Sequence, residues 1–149
     1  MRSREPVIDT PEADRAPHLL TVRVYYEDTD FSGFVYHASY LRFLERGRTE
    51  LLRGLAGDQS DLHREASGLV FVVRRMSIDY LRPARMDDLL TIVTRTTALR
   101  GASMQLAQEV RLGDDRLVVA EVTVACVRDG RAVRLPEGLR QRLAPAEVG

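Results

Sequence analysis

The sequence predicts one α+β domain in which a five- or six-stranded antiparallel sheet wraps around a single long helix. Three observations predict it: one long segment with helical spacing of apolar residues, several segments with strict alternation after it, and glycine-containing turn signals between those segments. The chain has 149 residues, which fits one domain able to bury its own core.

Residues 1–17 are rich in Arg, Glu, Asp and Pro and lack apolar periodicity, so a poorly ordered tail is expected there, with the folded domain at 18–143. Leu20, Val22, Val24 and Tyr26 then alternate with polar or outward residues, a strand pattern. Glu27 to Gly33 breaks the pattern and reads as a loop. Tyr40, Leu44, Gly47, Leu51 and Leu55 follow at helical spacing, flanked by Leu41 and Leu52. Glycine weakens a helix, so Gly47 on that stripe predicts a close approach to the sheet. Arg46 and Glu50 are placed for an i,i+4 pair, and Gly54 and Gly57 end the helix. A short helix is expected over 60–66.

The remainder reads as sheet. Leu69–Leu81 is β-rich up to Pro83, Leu89–Thr97 follows Asp87-Asp88, and Met104–Leu112 alternates to the turn at Gly113. Val118 to Cys126 alternates again, and Asp129-Gly130 signals a hairpin into a short last strand. Pro136 can start a small C-terminal helix. An antiparallel sheet of this size needs one face covered, and only the long helix can cover it. That is the hot-dog arrangement. It leaves a sheet edge and a helix flank open, so a homodimer or homotetramer is expected.

Composition narrows the function. Acidic and basic residues balance at 22 each, which gives no global pull toward nucleic acid. All the basic residues are Arg, so any anion held by a side-chain cation is held by a guanidinium. Cys126 is the single cysteine and sits in an apolar run, so it reads as a small buried residue rather than a nucleophile. No signal peptide or membrane-spanning segment is visible, and a cytoplasmic location is expected. No Cys/His spacing suggests a metal, and His63 stands without a partner.

The chemistry-bearing segment runs from Tyr25 to Tyr40. Glu27, Asp28 and Asp30 lie between a strand and a helix N-terminus, and His37 follows Asp30 by seven residues. Helix-start N–H groups suit the oxyanion of a thioester adduct, and a carboxylate nearby can attack directly or activate water. Residue types alone favour the plainer reading, in which these acids cap the helix and solvate the loop.

The longer pattern changes that balance. The D-x-D-x-x-G-x-V-Y-H-x-x-Y run from Asp28 to Tyr40, with its continuation to Arg48, resembles the signature of the Tol-Pal-associated acyl-CoA thioesterases. These form part of the 4-hydroxybenzoyl-CoA thioesterase branch of the hot-dog superfamily, and the similarity spans roughly residues 19–135. The resemblance implies an acyl-CoA substrate, Asp30 as the catalytic carboxylate, His37 beside it, and an oxyanion-binding amide near His37. The 4-hydroxybenzoyl-CoA enzyme has an aromatic residue in place of this histidine, which points to the Tol-Pal-associated subgroup. Asp28 is then loop support, and Glu27 is solvated. Tyr36 and Tyr40 are candidate substrate contacts. Leu99 to Ser103 is similar to the family's turn at the CoA phosphates, which makes Arg100 and Ser103 further candidates, ahead of Arg82 and Arg85. Arg48 reads as a structural ion-pair residue, with Glu45 as partner. No cofactor is expected beyond the coenzyme A of the substrate, and acyl carrier protein stays open as the carrier. Two other readings stay open as well: a 3-hydroxyacyl dehydratase, and a non-catalytic acyl-CoA-binding or partner-binding module of envelope machinery.

Overall fold

The computed structural model describes residues 16–57 and 68–145. The expected tail lies almost wholly outside the described residues; the 60–66 helix and His63 lie wholly outside them. The elements run β1 (His18–Arg23), α1 (Ser39–Gly57), β2 (Val70–Tyr80), β3 (Leu89–Leu99), β4 (Ser103–Leu112), β5 (Asp115–Arg128), β6 (Arg131–Ala132) and α2 (Glu137–Leu143). The strands form one antiparallel sheet in the order β1-β3-β4-β5-β2, with β6 paired to β5. α1 packs over β1, β3 and β4. The hot-dog architecture is therefore present as expected.

Alternation sets which strand residues meet the helix. Met104, Leu106, Gln108 and Val110 of β4, and Val118, Ala120, Val122, Val124 and Cys126 of β5, are buried under α1 or continuous with that core. Phe43 and Leu44 of α1 are fully buried, each contributing about 1.5–3 kcal/mol by removal from water. Gly47 makes the close approach that its place on the stripe predicted: a Cβ there would stand 2.8 Å from Ile92 Cγ2 and 2.9 Å from Thr94 Oγ1. Gln108, buried at this point, donates to Leu44 O (3.0 Å) and Thr94 Oγ1 (2.8 Å) and accepts from Arg48 Nη1 (3.0 Å). At the β5–β6 hairpin, Asp129 (φ 54°) and Gly130 (φ 78°) both take the left-handed conformation of a type I′ turn.

Several expectations needed correction. The first strand stops at Arg23, short of Tyr26, because Asp28 Oδ2 captures the Tyr25 N–H (2.8 Å) and turns residues 26–28 into a 3₁₀ turn. Phe43 joins the core stripe, whereas Leu41 faces outward on the flank. Glu50 pairs with Arg53 (2.9 Å), not Arg46, whose guanidinium lies over the Phe43 ring at 5.9 Å. Gly54 sits inside α1, which continues to Gly57.

β2 is an edge strand with Val70, Val72 and Val73 exposed. Beside it, Leu52 and Thr49 of α1 meet Phe71 and Val73 around a cavity of about 130 Å³.

Candidate functional site

The Asp30 loop is a small closed hairpin. Tyr36 N–H donates to Asp28 O (2.9 Å), Asp30 N–H to Phe34 O (3.0 Å), and Gly33 N–H to Asp30 O (3.0 Å). Gly33 has φ 87°, a conformation that a side chain would strain. Val35 N–H donates to Ala84 O (2.9 Å), which ties the loop to the segment after β2. Within this frame the two aspartates have opposite environments. Asp28 is buried, bonded to Tyr25 N–H and 3.6 Å from Arg42 Nη2. Asp30 is exposed, with Oδ1 accepting from Ser32 N–H (2.8 Å) and Ser32 Oγ–H (2.5 Å). The Ser32 hydroxyl and then its amide, with a smaller contribution from His37, hold the Asp30 carboxyl below the usual aspartate range. Asp30 is thus an ionised, accessible carboxylate at neutral pH.

Next to it the chain enters α1. Ser39 N–H donates to Tyr36 O (2.8 Å), and Ser39 Oγ–H donates to Asp28 O (3.1 Å). Among the described residues, the N–H groups of His37 and Ala38 have no acceptor. His37 is exposed, with its ring 4.7 Å from that of Tyr36 and 6.2 Å from that of Tyr80. Tyr80 Oη–H donates to His37 O (3.2 Å). Val35, His37, Tyr40, Tyr80, Arg82 and Pro83 line an open cleft of about 220 Å³ beside the helix start. The Asp30 loop, the two unengaged amides and the cleft lie at one end of the sheet. Asp30 does not itself line the cleft but feels the charge of His37, which does, an arrangement that suits attack on a carbonyl whose oxygen gains charge.

Residues 32–119 match the family model of the thioesterase superfamily. The chain belongs to that superfamily. A relative from Escherichia coli O6:H1, the acyl-CoA thioester hydrolase YbgC, is 50% identical over 107 residues, covering 71% of this chain and 78% of the relative. The crystal structure of a probable thioesterase from Bartonella henselae is 46% identical and superposes with a TM-score of 0.70, over 81% of this chain and 99% of that one. A thioesterase from Thermus thermophilus, solved with coenzyme A and Zn, is 29% identical with a TM-score of 0.70, over 84% of this chain and 90% of that one. The family resemblance carried by Asp28 to Arg48 is borne out.

In this thioesterase chain the six sequence-derived site residues divide into two groups. Tyr36 and His37 stack edge-on, and Asp30 in the same loop lies within electrostatic reach of His37. Tyr40 is buried beneath them with its hydroxyl accepting Ala84 N–H (3.0 Å), so its reach into the cleft is through the ring. Burial raises its phenol pKa. Arg100, in the β3–β4 turn, and Ser103, the first residue of β4, sit at the opposite end of the sheet, where Arg100 N–H donates to Ser103 O (2.8 Å). The eleven residues of β3 put about 33 Å between that turn and the Asp30 end. One protomer therefore does not bring Arg100 to Asp30.

Other arginines fall differently from their sequence ranking. Arg82 lines the cleft and lies 3.6 Å from Asp115, and Arg85 stands over the Phe34 ring at 5.1 Å. Near Arg100, Arg140 Nη1–H donates to Arg100 O (2.8 Å), and Arg134 Nη1 comes within 4.0 Å of where a Gly101 Cβ would stand. Arg134 and Arg140 were missed in the sequence because nothing local marks them beyond the arginine-rich run from Arg128 to Arg142. Tyr80 was missed too, since 43 residues separate it from His37. Arg48 bonds Gln108, and its pKa is lowered by burial and partly restored by Glu45. Among the described residues no group of three or more His, Cys, Asp or Glu is placed to hold a metal ion, and no helix is long and apolar enough to cross a membrane.

Proposed function

We propose that this chain hydrolyses acyl-CoA thioesters to free acid and coenzyme A, with Asp30 as the reacting carboxylate and the α1-start amides as the oxyanion site. The observation that carries the proposal is Asp30 itself: an exposed carboxylate kept charged by its Ser32 bonds, within electrostatic reach of His37, in the loop that leads to the unengaged N–H groups of His37 and Ala38. Asp30 either attacks the thioester carbonyl, giving a mixed anhydride that water then opens, or takes a proton from the attacking water. In both routes the carbonyl π electrons move onto oxygen, the amides hold that charge, and the C–S bond breaks as they return. The thiolate leaves and takes up a proton. His37 orients the thioester or the water.

A thioesterase relative solved with coenzyme A supports the CoA form of the carrier; acyl carrier protein is the alternative. The reading calls for no cofactor beyond the coenzyme A of the substrate, and for a folded unit at 18–143 acting in the cytoplasm. The exposed β2 edge pairs with its copy in a homodimer, and two such dimers can form a tetramer. An antiparallel β2–β2 pairing sets the Tyr80 end of one protomer against the Val70 end of its partner. That brings Arg100 and Ser103 of one chain toward Asp30 of the other and excludes water from an otherwise open site.

The test is thiol release from a panel of acyl-CoAs by the wild type and Asp30→Asn. The variant keeps the shape of the site and loses the basic oxygen, so kcat falls by about two to four orders of magnitude. A single turnover in ¹⁸O-water distinguishes the routes: label in the Asp30 carboxylate means direct attack, and label only in the product acid means general base. Near-normal release by Asp30→Asn rejects both.

A further inference from the structure

We infer that Tyr80 is a positioning residue for thioester hydrolysis: its hydroxyl holds the His37–Ala38 peptide so that the Ala38 N–H stays aimed at the thioester oxygen. This rests on the reading of the Asp30 site as a thioesterase centre.

The first observation is the hydrogen bond from Tyr80 Oη–H to His37 O at 3.2 Å. His37 O and Ala38 N–H belong to one planar trans peptide and point in opposite directions. A donor fixed on the oxygen therefore fixes the direction of the N–H. This peptide lies immediately before α1, where no helical hydrogen bond restrains it, and Ala38 N–H has no acceptor among the described residues. An unrestrained peptide there is free to turn its N–H away. A bond accepted at the oxygen also polarises the peptide and makes its N–H a stronger donor.

The second observation is that Tyr80 is itself held. Its ring packs on Tyr40 at 5.8 Å and edge-on to His37 at 6.2 Å. Tyr40 is anchored through its hydroxyl to Ala84 N–H, and Ala84 O receives the Val35 N–H of the Asp30 loop. The chain of contacts Val35–Ala84–Tyr40–Tyr80–His37 thus closes around the cleft and sets the loop and the helix start against each other. Tyr80 is 45% exposed, so one bond from its hydroxyl adds little to folding, and its value lies in where it points.

Tyr80→Phe keeps the ring contacts and removes the donor. kcat should fall about tenfold, less than the loss of an oxyanion donor itself, with KM and the melting temperature unchanged. The decisive readout uses two inhibitors. A trifluoromethyl ketone analogue of an acyl-CoA binds as a tetrahedral adduct and should bind about tenfold more weakly to the variant. The S-alkyl-CoA thioether has no carbonyl oxygen and should bind equally well. Wild-type kcat in Tyr80→Phe, or an equal loss of affinity for thioether and ketone, overturns the assignment. Asp30→Asn is assayed beside it. If that variant is inactive while Tyr80→Phe is normal, only the role of Tyr80 fails; if Asp30→Asn is fully active, the thioesterase centre lies elsewhere and the role of Tyr80 falls with it.

Discussion

Gly47 of α1 presses on Ile92 of β3 so closely that a Cβ at position 47 would lie 2.8 Å from Ile92 Cγ2. Ile92 is fully buried and β-branched, and Thr94, 2.9 Å from the same point, is tied to Gln108. Neither can swing aside cheaply. Gly47→Ala gains about 1 kcal/mol of helix propensity and suffers about 1–3 kcal/mol of overpacking, with the Thr94–Gln108 bond displaced as well. The net effect is destabilisation, read as a lower urea midpoint. A midpoint raised by the alanine would mean that the helix moves away from the sheet freely.

Asp28 and Asp30 should separate stability from activity. Removing the buried Asp28 carboxylate leaves the Tyr25 N–H without its acceptor, so Asp28→Ala should cost about 1–3 kcal/mol. The Arg42 contact adds little, because Arg42 is half exposed. Asp30→Asn touches only an exposed side chain, whose amide oxygen can still accept the Ser32 bonds, and should lower the urea midpoint far less than Asp28→Ala does. A wild-type midpoint in Asp28→Ala would remove Asp28 from the framework of the loop.

The same pair shows what was legible in the sequence. Strand alternation, the glycine on the helix stripe and the Asp129-Gly130 turn are local signals, and they placed the sheet, the helix and their contact. The long run of residue types from Asp28 to Tyr40 is specific enough to show the family, and the role of Asp30 is what that resemblance implies. What stayed hidden depended on distances across the chain: Tyr80 reaching His37, Gln108 spanning α1 and β3, and the separation of Arg100 from Asp30 by the length of a strand. The early end of β1 was hidden for a related reason, since the Asp28 carboxylate outcompetes strand propensity at Tyr25.

Ser32 should set the acid limit of the reaction. Its hydroxyl and amide favour the charged form of Asp30, so the free-enzyme carboxyl titrates below the ordinary aspartate value. Activity through an ionised Asp30 is then present above that pKa and is lost as pH falls through it. Ser32→Ala removes the hydroxyl bond and raises the pKa, so the acid limb of kcat/KM should move to higher pH with the plateau little changed. An acid limb that does not move would mean that a group other than Asp30 governs it.

Arg100 offers a test of whether the site is shared between two chains. It lies at the far end of β3 from Asp30 in the same protomer, so it serves catalysis only if a partner brings it across. If it holds a CoA phosphate there, Arg100→Ala should raise KM about tenfold, the loss of one charge-assisted bond, with kcat unchanged. A pantetheine thioester, which lacks the nucleotide phosphates, should not register the change. Co-expressing Arg100→Ala with Asp30→Asn makes the distinction between chains. In a mixed dimer, one site combines Asp30 from the first variant with Arg100 from the second and is intact; the other carries both defects and is silent. The mixture should therefore show a component with wild-type KM that neither homodimer has. If Asp30 and Arg100 acted within one chain, every mixed dimer would pair one dead site with one high-KM site, and no such component would appear.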